Sequence, residues 1–115
     1  MNTKEIAARL IALCTEGEFI QAQKELYDDN IVNIEVDGSR LEGLATMHAK
    51  EQQFLDNIER INKISFSEPL IAGSYFTVKL LMDIDLKNIG HRAVEELCIY
   101  KTKDGKIVFE QFFRD

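Results

Sequence analysis

The sequence predicts an α+β fold in which helices pack on one face of an antiparallel sheet. Two observations support this prediction. In the first half of the chain, apolar side chains mostly recur every three or four residues, which is the period of an amphipathic helix. From Ile61 onward they alternate with polar side chains, as they do in a half-buried strand. Helices followed by consecutive strands are typical of the α+β class.

Three helices are predicted in the first half. The first runs from Lys4 to Cys14 with Thr3 as its N-cap, the second from about Glu18 to Leu26, and the third begins after Gly43. Each has one stripe that is expected to face the core. The stripe residues are Ile6, Ala7, Leu10, Ile11 and Cys14, then Phe19, Ala22 and Leu26, and finally Leu44, Met47, Glu51, Phe54, Leu55 and Ile58.

Five strands are predicted, at residues 31–36, 61–70, 74–86, 91–103 and 106–114. Asp104-Gly105 is typical of a two-residue type I′ hairpin turn. This turn pairs Lys103 with Lys106. Asn88-Ile89-Gly90 fits a three-residue loop with glycine in the left-handed conformation. The two turns together predict four pairs near the middle of the sheet: Tyr100 with Phe109, Cys98 with Gln111, Met82 with Glu96, and Leu80 with Cys98.

This register divides the late strands into two faces. The inner face is expected to carry Met82, Glu96, Cys98, Tyr100, Phe109 and Gln111. The outer face is charged but has five large apolar side chains, more than a monomer usually exposes in one patch. We therefore predict a homodimer through this outer face, with contacts from Leu81, Leu97, Ile99, Val108 and Phe112.

Length and charge restrict the class of protein. The 115 residues are enough for one domain, which we expect to span residues 1–115. A net charge of −6 argues against binding to nucleic acid or an anionic membrane, because phosphate contacts need lysine and arginine. No signal peptide or apolar membrane span is apparent. Cys14 and Cys98 do not form a disulfide framework, so a cytoplasmic location is expected. No residue spacing indicates a metal site or a cofactor-binding loop.

Glu96 is the most unusual residue of the predicted inner face. The register places its carboxylate among apolar side chains such as Met82, where an ionised group is costly and its pKa tends to rise. Cys98, Tyr100 and Gln111 are expected close by, so this region is typical of the polar end of a ligand pocket. The alternative is a glutamate at a strand end that bends toward solvent.

Three segments together resemble a known family. They are LYDDNIVNIEVDGS at 26–39, the helix after Gly43, and EELCIYKTKDGKIVFEQFF at 95–113. In order and spacing they resemble the SnoaL-like branch of the nuclear transport factor 2-like superfamily. The resemblance implies three N-terminal helices over a strongly curved antiparallel sheet, with a pocket between them that takes a small apolar ligand. It also implies dimers formed through the outer sheet face.

The superfamily includes isomerases, polyketide cyclases and proteins without catalysis, so the resemblance does not specify an activity. In ketosteroid isomerase, which belongs to it, a carboxylate on the first strand is the base, and a gapless alignment implies Glu35 here. That isomerase also has a tyrosine and a protonated aspartate as oxyanion donors. The corresponding positions here hold Leu10 and Cys98, so the steroid reaction is not expected. Alternation alone would turn Glu35 to solvent, whereas the resemblance turns it inward.

Two hypotheses of function follow. In the first, the protein is an enzyme that moves a proton on a small carbonyl or hydroxyl compound, with Glu35 or Glu96 as general acid or base. Tyr100 and Gln111 would orient the substrate, and His48 would reach the pocket mouth. In the second, the same pocket binds a ligand without turnover. The residues expected to line it are Met82, Cys98, Tyr100, Phe109, Gln111 and His48.

Overall fold

The computed structural model describes residues 1–115 and confirms the α+β class. Three helices lie against an open, curved and mostly antiparallel sheet of seven strands. No helix is long and apolar enough to cross a lipid bilayer. The helices pack on the concave face of the sheet, and the hydrophobic core lies between these two layers.

The three predicted helices are present, with small differences at their ends. They are α1 (Thr3–Thr15), α2 (Phe19–Leu26) and α3 (Leu44–Asp56). The N-cap of α1 is Asn2 rather than the expected Thr3. Asn2 Oδ1 accepts a hydrogen bond from the Glu5 amide at 2.8 Å, and the Glu5 carboxylate accepts one from the Asn2 amide at 2.9 Å. This reciprocal capping box satisfies two amides that the helix leaves free.

The seven strands include two that periodicity could not reveal. The sheet consists of β1 (Tyr27–Ile34), β2 (Arg40–Glu42), β3 (Ile58–Phe66), β4 (Leu70–Ala72), β5 (Tyr75–Leu86), β6 (Gly90–Lys103) and β7 (Lys106–Phe113). Strands β2 and β4 have three residues each, too few for a period of two to emerge. Strand β1 begins directly after α2, at Tyr27, whereas the predicted strand begins at residue 31.

The strand order is β2-β1-β7-β6-β5-β3, and β4 pairs with β5. All neighbours are antiparallel except β1 and β7, which pair in parallel. The first strand therefore lies beside the last one, in the middle of the sheet. Residues 27–34 and 106–113, far apart in the sequence, form one wall of the interior.

The predicted register of the last hairpin is correct at the turn and wrong beyond it. Lys103 pairs with Lys106 and Thr102 with Ile107, but Lys101 then pairs with Phe109. Val108 is thus an extra residue on β7, a β-bulge. Because side chains alternate along a strand, one extra residue moves every later side chain of that strand to the opposite face of the sheet.

The bulge moves Glu110 and Phe112 to the inner face, so that Tyr100 pairs with Glu110 and Cys98 with Phe112. Phe109 and Gln111, which were expected inside, lie on the outer face. In the hairpin of β5 and β6, the observed pairs are Met82 with Val94 and Leu80 with Glu96. This differs from the prediction by two residues, so the expected inner and outer faces of these strands are retained.

The core consists of apolar side chains from both layers. Ile6, Ala7 and Leu10 of α1 are buried against Phe76, Val78 and Ile84 of β5 and Ile107 of β7. The rings of Phe76 and Tyr100 stack with their centroids 4.8 Å apart. Burial of such side chains contributes on the order of 2 kcal/mol each to the free energy of folding.

We expect Ile107→Ala to lower the free energy of unfolding by about 2–5 kcal/mol, because Ile107 is fully buried and its truncation leaves a cavity. Ile89→Ala is the matched control. Ile89 is 60% exposed in the loop before β6, and its truncation should change stability by less than about 0.5 kcal/mol. Urea unfolding followed by circular dichroism measures both. Equal losses in the two variants would contradict the described core.

Candidate active site

A cavity of about 950 Å³ lies between the helices and the concave face of the sheet. Its walls are mostly apolar, with residues from all three helices and from strands β1, β3, β5, β6 and β7. About a third of the lining residues are charged or polar. An apolar cavity with a few polar groups is the usual form of a small-molecule site.

The most deeply buried of these polar groups is Glu110 of β7. Its Oε1 accepts a hydrogen bond from the Tyr27 hydroxyl, and its Oε2 accepts one from Asn33 Nδ2 at 2.5 Å. Tyr27 and Asn33 belong to β1, which lies directly beside β7. The parallel pairing of the first and last strands therefore places both donors around one carboxyl group.

Burial raises the pKa of Glu110 to about 7, from an ordinary value of 4.5. The apolar surroundings disfavour the charged form, and the hydrogen bonds from Tyr27 and Asn33 offset only part of this cost. The positive charge of Lys50 also favours ionisation, whereas the negative charge of Glu51 opposes it. Glu110 is therefore close to half-ionised at neutral pH, as an efficient general acid or base requires.

Asn33 carries the one buried side-chain polar atom without a hydrogen-bond partner. The residue is fully buried, and its Oδ1 accepts no hydrogen bond. Because Nδ2 donates to Glu110, the amide is held in an orientation in which Oδ1 meets no donor. The protein thus leaves one acceptor unpaired in order to hold Glu110 from both sides.

Glu96 and Glu51 also line the cavity. The Glu96 side chain is 15% exposed, lies 3.4 Å from Arg114 Nε, and accepts a long contact of 3.7 Å from Cys98 Sγ. Burial raises the pKa of Glu96, and Arg114 opposes this shift. Burial likewise raises the pKa of Glu51 on α3. Three carboxyl groups with raised pKa values therefore enter one cavity.

Glu35 occupies the rim and does not line the cavity. It lies just after β1, its side chain is 20% exposed, and its carboxylate forms an ion pair with Lys50 of α3. Ile31 and Asn33 are buried, whereas Val36 is exposed. The apolar alternation at residues 32, 34 and 36 therefore indicated the wrong face of β1. Glu35 continues the alternation of the buried residues Ile31 and Asn33, and Lys50 lies between Glu35 and the cavity.

The remaining predicted site residues divide into two groups. Met82, Cys98 and Tyr100 line the cavity. Phe109 and Gln111 do not, because the bulge at Val108 turns them outward. His48 also lies outside the lining, and its Nδ1 is 2.8 Å from Oε1 of Gln23, which lines the cavity in its place. No three His, Cys, Asp or Glu side chains are grouped so as to hold a metal ion.

Sequence reasoning missed Glu110, Tyr27, Asn33 and Gln23. Asn33 was visible as a polar residue on a short apolar strand, for which alternation and the family resemblance indicated opposite faces. Glu110 was placed on the outer face by the uninterrupted register. A mixed pattern at 107–113, where Ile107, Val108 and Phe109 are all apolar, was the one signal of a bulge.

The fold defined by these elements is the nuclear transport factor 2-like α+β cone. Within it, the chain belongs to the SnoaL-like domain family, whose profile matches residues 1–114. No curated protein sequence matches the chain significantly.

Solved structures share the fold at low sequence identity. A candidate SnoaL-like polyketide cyclase from Mesorhizobium loti is 24% identical with a TM-score of 0.90, and the match covers 99% of this chain and 100% of that one. A hypothetical protein of ketosteroid isomerase-like fold from Catenulispora acidiphila, in complex with trimethylamine, is 16% identical with a TM-score of 0.79, over 99% and 88%. A candidate isomerase from Bacillus subtilis is 21% identical with a TM-score of 0.73, over 96% and 84%.

The buried carboxyl group of Glu110 should make stability depend on pH. The unfolded chain releases the Glu110 proton near pH 4.5, whereas the folded protein keeps it to about pH 7. Folding is therefore favoured at low pH, and this contribution is lost as the pH rises from 4.5 through 7. The loss is on the order of 3 kcal/mol.

Glu110→Gln removes this contribution while keeping the shape of the side chain. We expect the variant to gain stability relative to the unsubstituted protein at pH 8, and the difference to shrink at pH 5. Urea unfolding at both pH values measures it, and Glu59→Gln on the exposed part of β3 is the control. A difference between variant and parent that does not change with pH would contradict the raised pKa of Glu110.

Proposed function

We propose that the protein binds a small, largely apolar molecule in the cavity and moves a proton on it through the carboxyl group of Glu110. The observation that carries this proposal is the position of Glu110, a carboxyl group with a pKa of about 7 in the lining of an apolar cavity. A base in such surroundings loses the water that would weaken it, and it needs no further activation at neutral pH.

The reaction class that fits this site is proton transfer at carbon beside a carbonyl group. The Glu110 carboxylate removes the proton, and the electrons of the C–H bond form a carbon–carbon double bond while the carbonyl π electrons move to oxygen. The carboxyl group then returns the proton to the same or a conjugated carbon. Tyr27 and Asn33 hold the carboxyl group in place in both steps through its two oxygens. This is the isomerase or cyclase type of chemistry.

Glu96 and Glu35 have different roles in this proposal. Glu96 lines the cavity beside Arg114, and its raised pKa makes it a second acid or base. Glu35 affects the site only through its ion pair with Lys50. The positive charge of Lys50 lowers the pKa of both Glu96 and Glu110. Glu35 is thus a positioning residue for Lys50 and not the base.

A non-catalytic binding module is the second candidate. One observation favours it: both oxygens of Glu110 already accept a hydrogen bond from the protein, so the group is also a satisfied structural carboxyl. In that case the cavity holds its ligand without turnover. The two candidates differ in whether a probe with an acidic C–H bond reacts in the cavity.

We expect the protein to open the ring of 5-nitrobenzisoxazole, in which a base removes the carbon-bound proton, the nitrile forms and the N–O bond breaks to give a coloured phenolate. The rate should rise with pH and level off above about pH 7, as Glu110 ionises. Glu110→Gln should reduce the rate at least a hundredfold. The phenolate absorbance records the reaction directly.

Glu59→Gln is again the control and should leave this rate unchanged, because Glu59 is exposed and remote from the cavity lining. Equal rates for Glu110→Gln and its parent would exclude Glu110 as the base. A parent protein that binds the probe without opening it would favour the binding module.

The outer face of the sheet supports a homodimer. Leu81, Leu97 and Phe113 are exposed there, and Phe113 takes the place that was expected for Phe112. Phe112 pairs with Cys98 on the inner face, so it does not belong to this interface, whereas Leu97 and Phe113 are exposed and also contribute to the edge of the cavity lining. The predicted contact residues Leu81, Leu97, Ile99 and Val108 remain part of the proposal, as does a cytoplasmic location for the dimer.

Leu97→Arg should convert this dimer into a monomer, because it places a charge in the centre of the apolar patch, where Leu97 is 45% exposed and pairs with Phe113. Ile89→Arg, in the loop before β6, is the control and should leave the dimer intact. Sedimentation velocity distinguishes the two states. A monomeric parent protein, or a Leu97→Arg variant that stays dimeric, would refute this interface.

A further inference from the structure

Gln23 of α2 has a polar group that the protein leaves unused. The residue is buried, with 7% of its surface exposed, and it lines the cavity. Its Oε1 is held by His48 of α3, whose Nδ1 lies 2.8 Å away. Its Nε2 donates to no protein group, yet it is not enclosed like Asn33 Oδ1 and has accessible surface.

His48 determines which end of the Gln23 amide faces the cavity. A ring nitrogen that carries a proton donates to the amide oxygen and repels the amide nitrogen. With Oε1 bound to His48, the two N–H groups of Nε2 are turned away from the histidine. Gln23 lies in the lining of a cavity with mostly apolar walls, and its Nε2 retains accessible surface. A largely buried donor without a protein partner is available to a ligand that carries an acceptor oxygen.

The geometry points to Gln23 as the hydrogen-bond donor that selects ligands with a carbonyl oxygen, with His48 as its positioning residue. The amide of Gln23 lies on a helix and Glu110 on the sheet, so the two line opposite layers of one cavity. A ligand that fills the cavity then has its oxygen on Gln23 and a C–H bond toward Glu110. The expectation that the ligand carries a carbonyl group, rather than another oxygen, rests on the proposed proton transfer. The expectation that it carries an acceptor oxygen rests only on the unpaired amide of Gln23.

Two probes of one shape test this assignment. Tetralin is an apolar bicyclic hydrocarbon, and 1-tetralone is the same skeleton with one carbonyl oxygen. We expect the unsubstituted protein to bind 1-tetralone about tenfold more tightly than tetralin, because only the ketone satisfies Nε2 of Gln23. Dissociation constants come from titrations of the ¹⁵N-labelled protein followed by NMR.

Gln23→Met removes the donor and keeps an unbranched side chain of similar length. It should weaken the binding of 1-tetralone about tenfold and leave tetralin within twofold. Gln23→Glu keeps an oxygen for His48 and replaces the donor by an acceptor, so it should also abolish the preference for the ketone. Gln21→Met is the matched control on the exposed side of α2 and should leave the ratio of the two dissociation constants unchanged.

His48→Phe tests the positioning role. Without its partner the Gln23 amide turns freely, so the preference for 1-tetralone should fall about threefold while tetralin binding stays constant. A merely structural role of His48 would change both dissociation constants together, or neither.

The assignment is overturned if 1-tetralone does not bind, if tetralin binds equally well, or if Gln23→Met leaves the ratio unchanged. These outcomes are distinct from a failure of the proposed function. A parent protein that prefers 1-tetralone but does not open 5-nitrobenzisoxazole keeps the Gln23 site and loses the proton transfer. A parent protein that opens 5-nitrobenzisoxazole but does not prefer 1-tetralone keeps Glu110 as the base and excludes Gln23 as the donor to the ligand.

Discussion

The arrangement of the cavity depends on one constraint, the burial of the Glu110 carboxyl group between the first and last strands. A carboxylate in an apolar interior is unfavourable unless hydrogen bonds replace its water. Tyr27 and Asn33 supply two such bonds, and both are on β1, which adjoins β7 in parallel. The bulge at Val108 turns Glu110 toward them. Removal of the strand pairing, the bulge or either donor would leave a buried charge without support.

The same constraint explains how one cavity can contain several acidic groups. Glu51 and Glu96 have raised pKa values because burial disfavours their charge, and the negative charge of Glu96 further raises the pKa of Glu51. Lys50 moderates it from α3, and its own ion pair with Glu35 anchors it at the rim. The electrostatics of the cavity thus depend on a residue, Glu35, that does not reach the cavity.

Much of the fold could be predicted from the sequence, and the site only in part. The helices and the long strands follow from periodicity. Leu10 belongs to the buried stripe of α1, and Phe76 and Val78 lie on the buried face of β5, where they alternate with more exposed residues. Cys98 and Tyr100 were correctly expected on the inner face because no bulge interrupts β5 and β6. Glu110 and Gln111 were exchanged, because an extra residue at Val108 leaves no signal in composition and reverses every later side chain. Asn33 was not recognised as a site residue, because a buried polar side chain departs from the rule that apolar residues mark the core.

The parallel pairing of β1 with β7 also has a consequence for how the chain folds. The hydrogen bonds from Tyr27 and Asn33 to Glu110 join residues that are 83 and 77 positions apart. Contacts across so long a separation close a large loop and form only after its entropic cost has been met. The hairpin of β6 and β7 has a two-residue turn and needs no such closure, so it can form early. We therefore expect the pairing of β1 with β7, and with it the environment that raises the pKa of Glu110, to form late in folding.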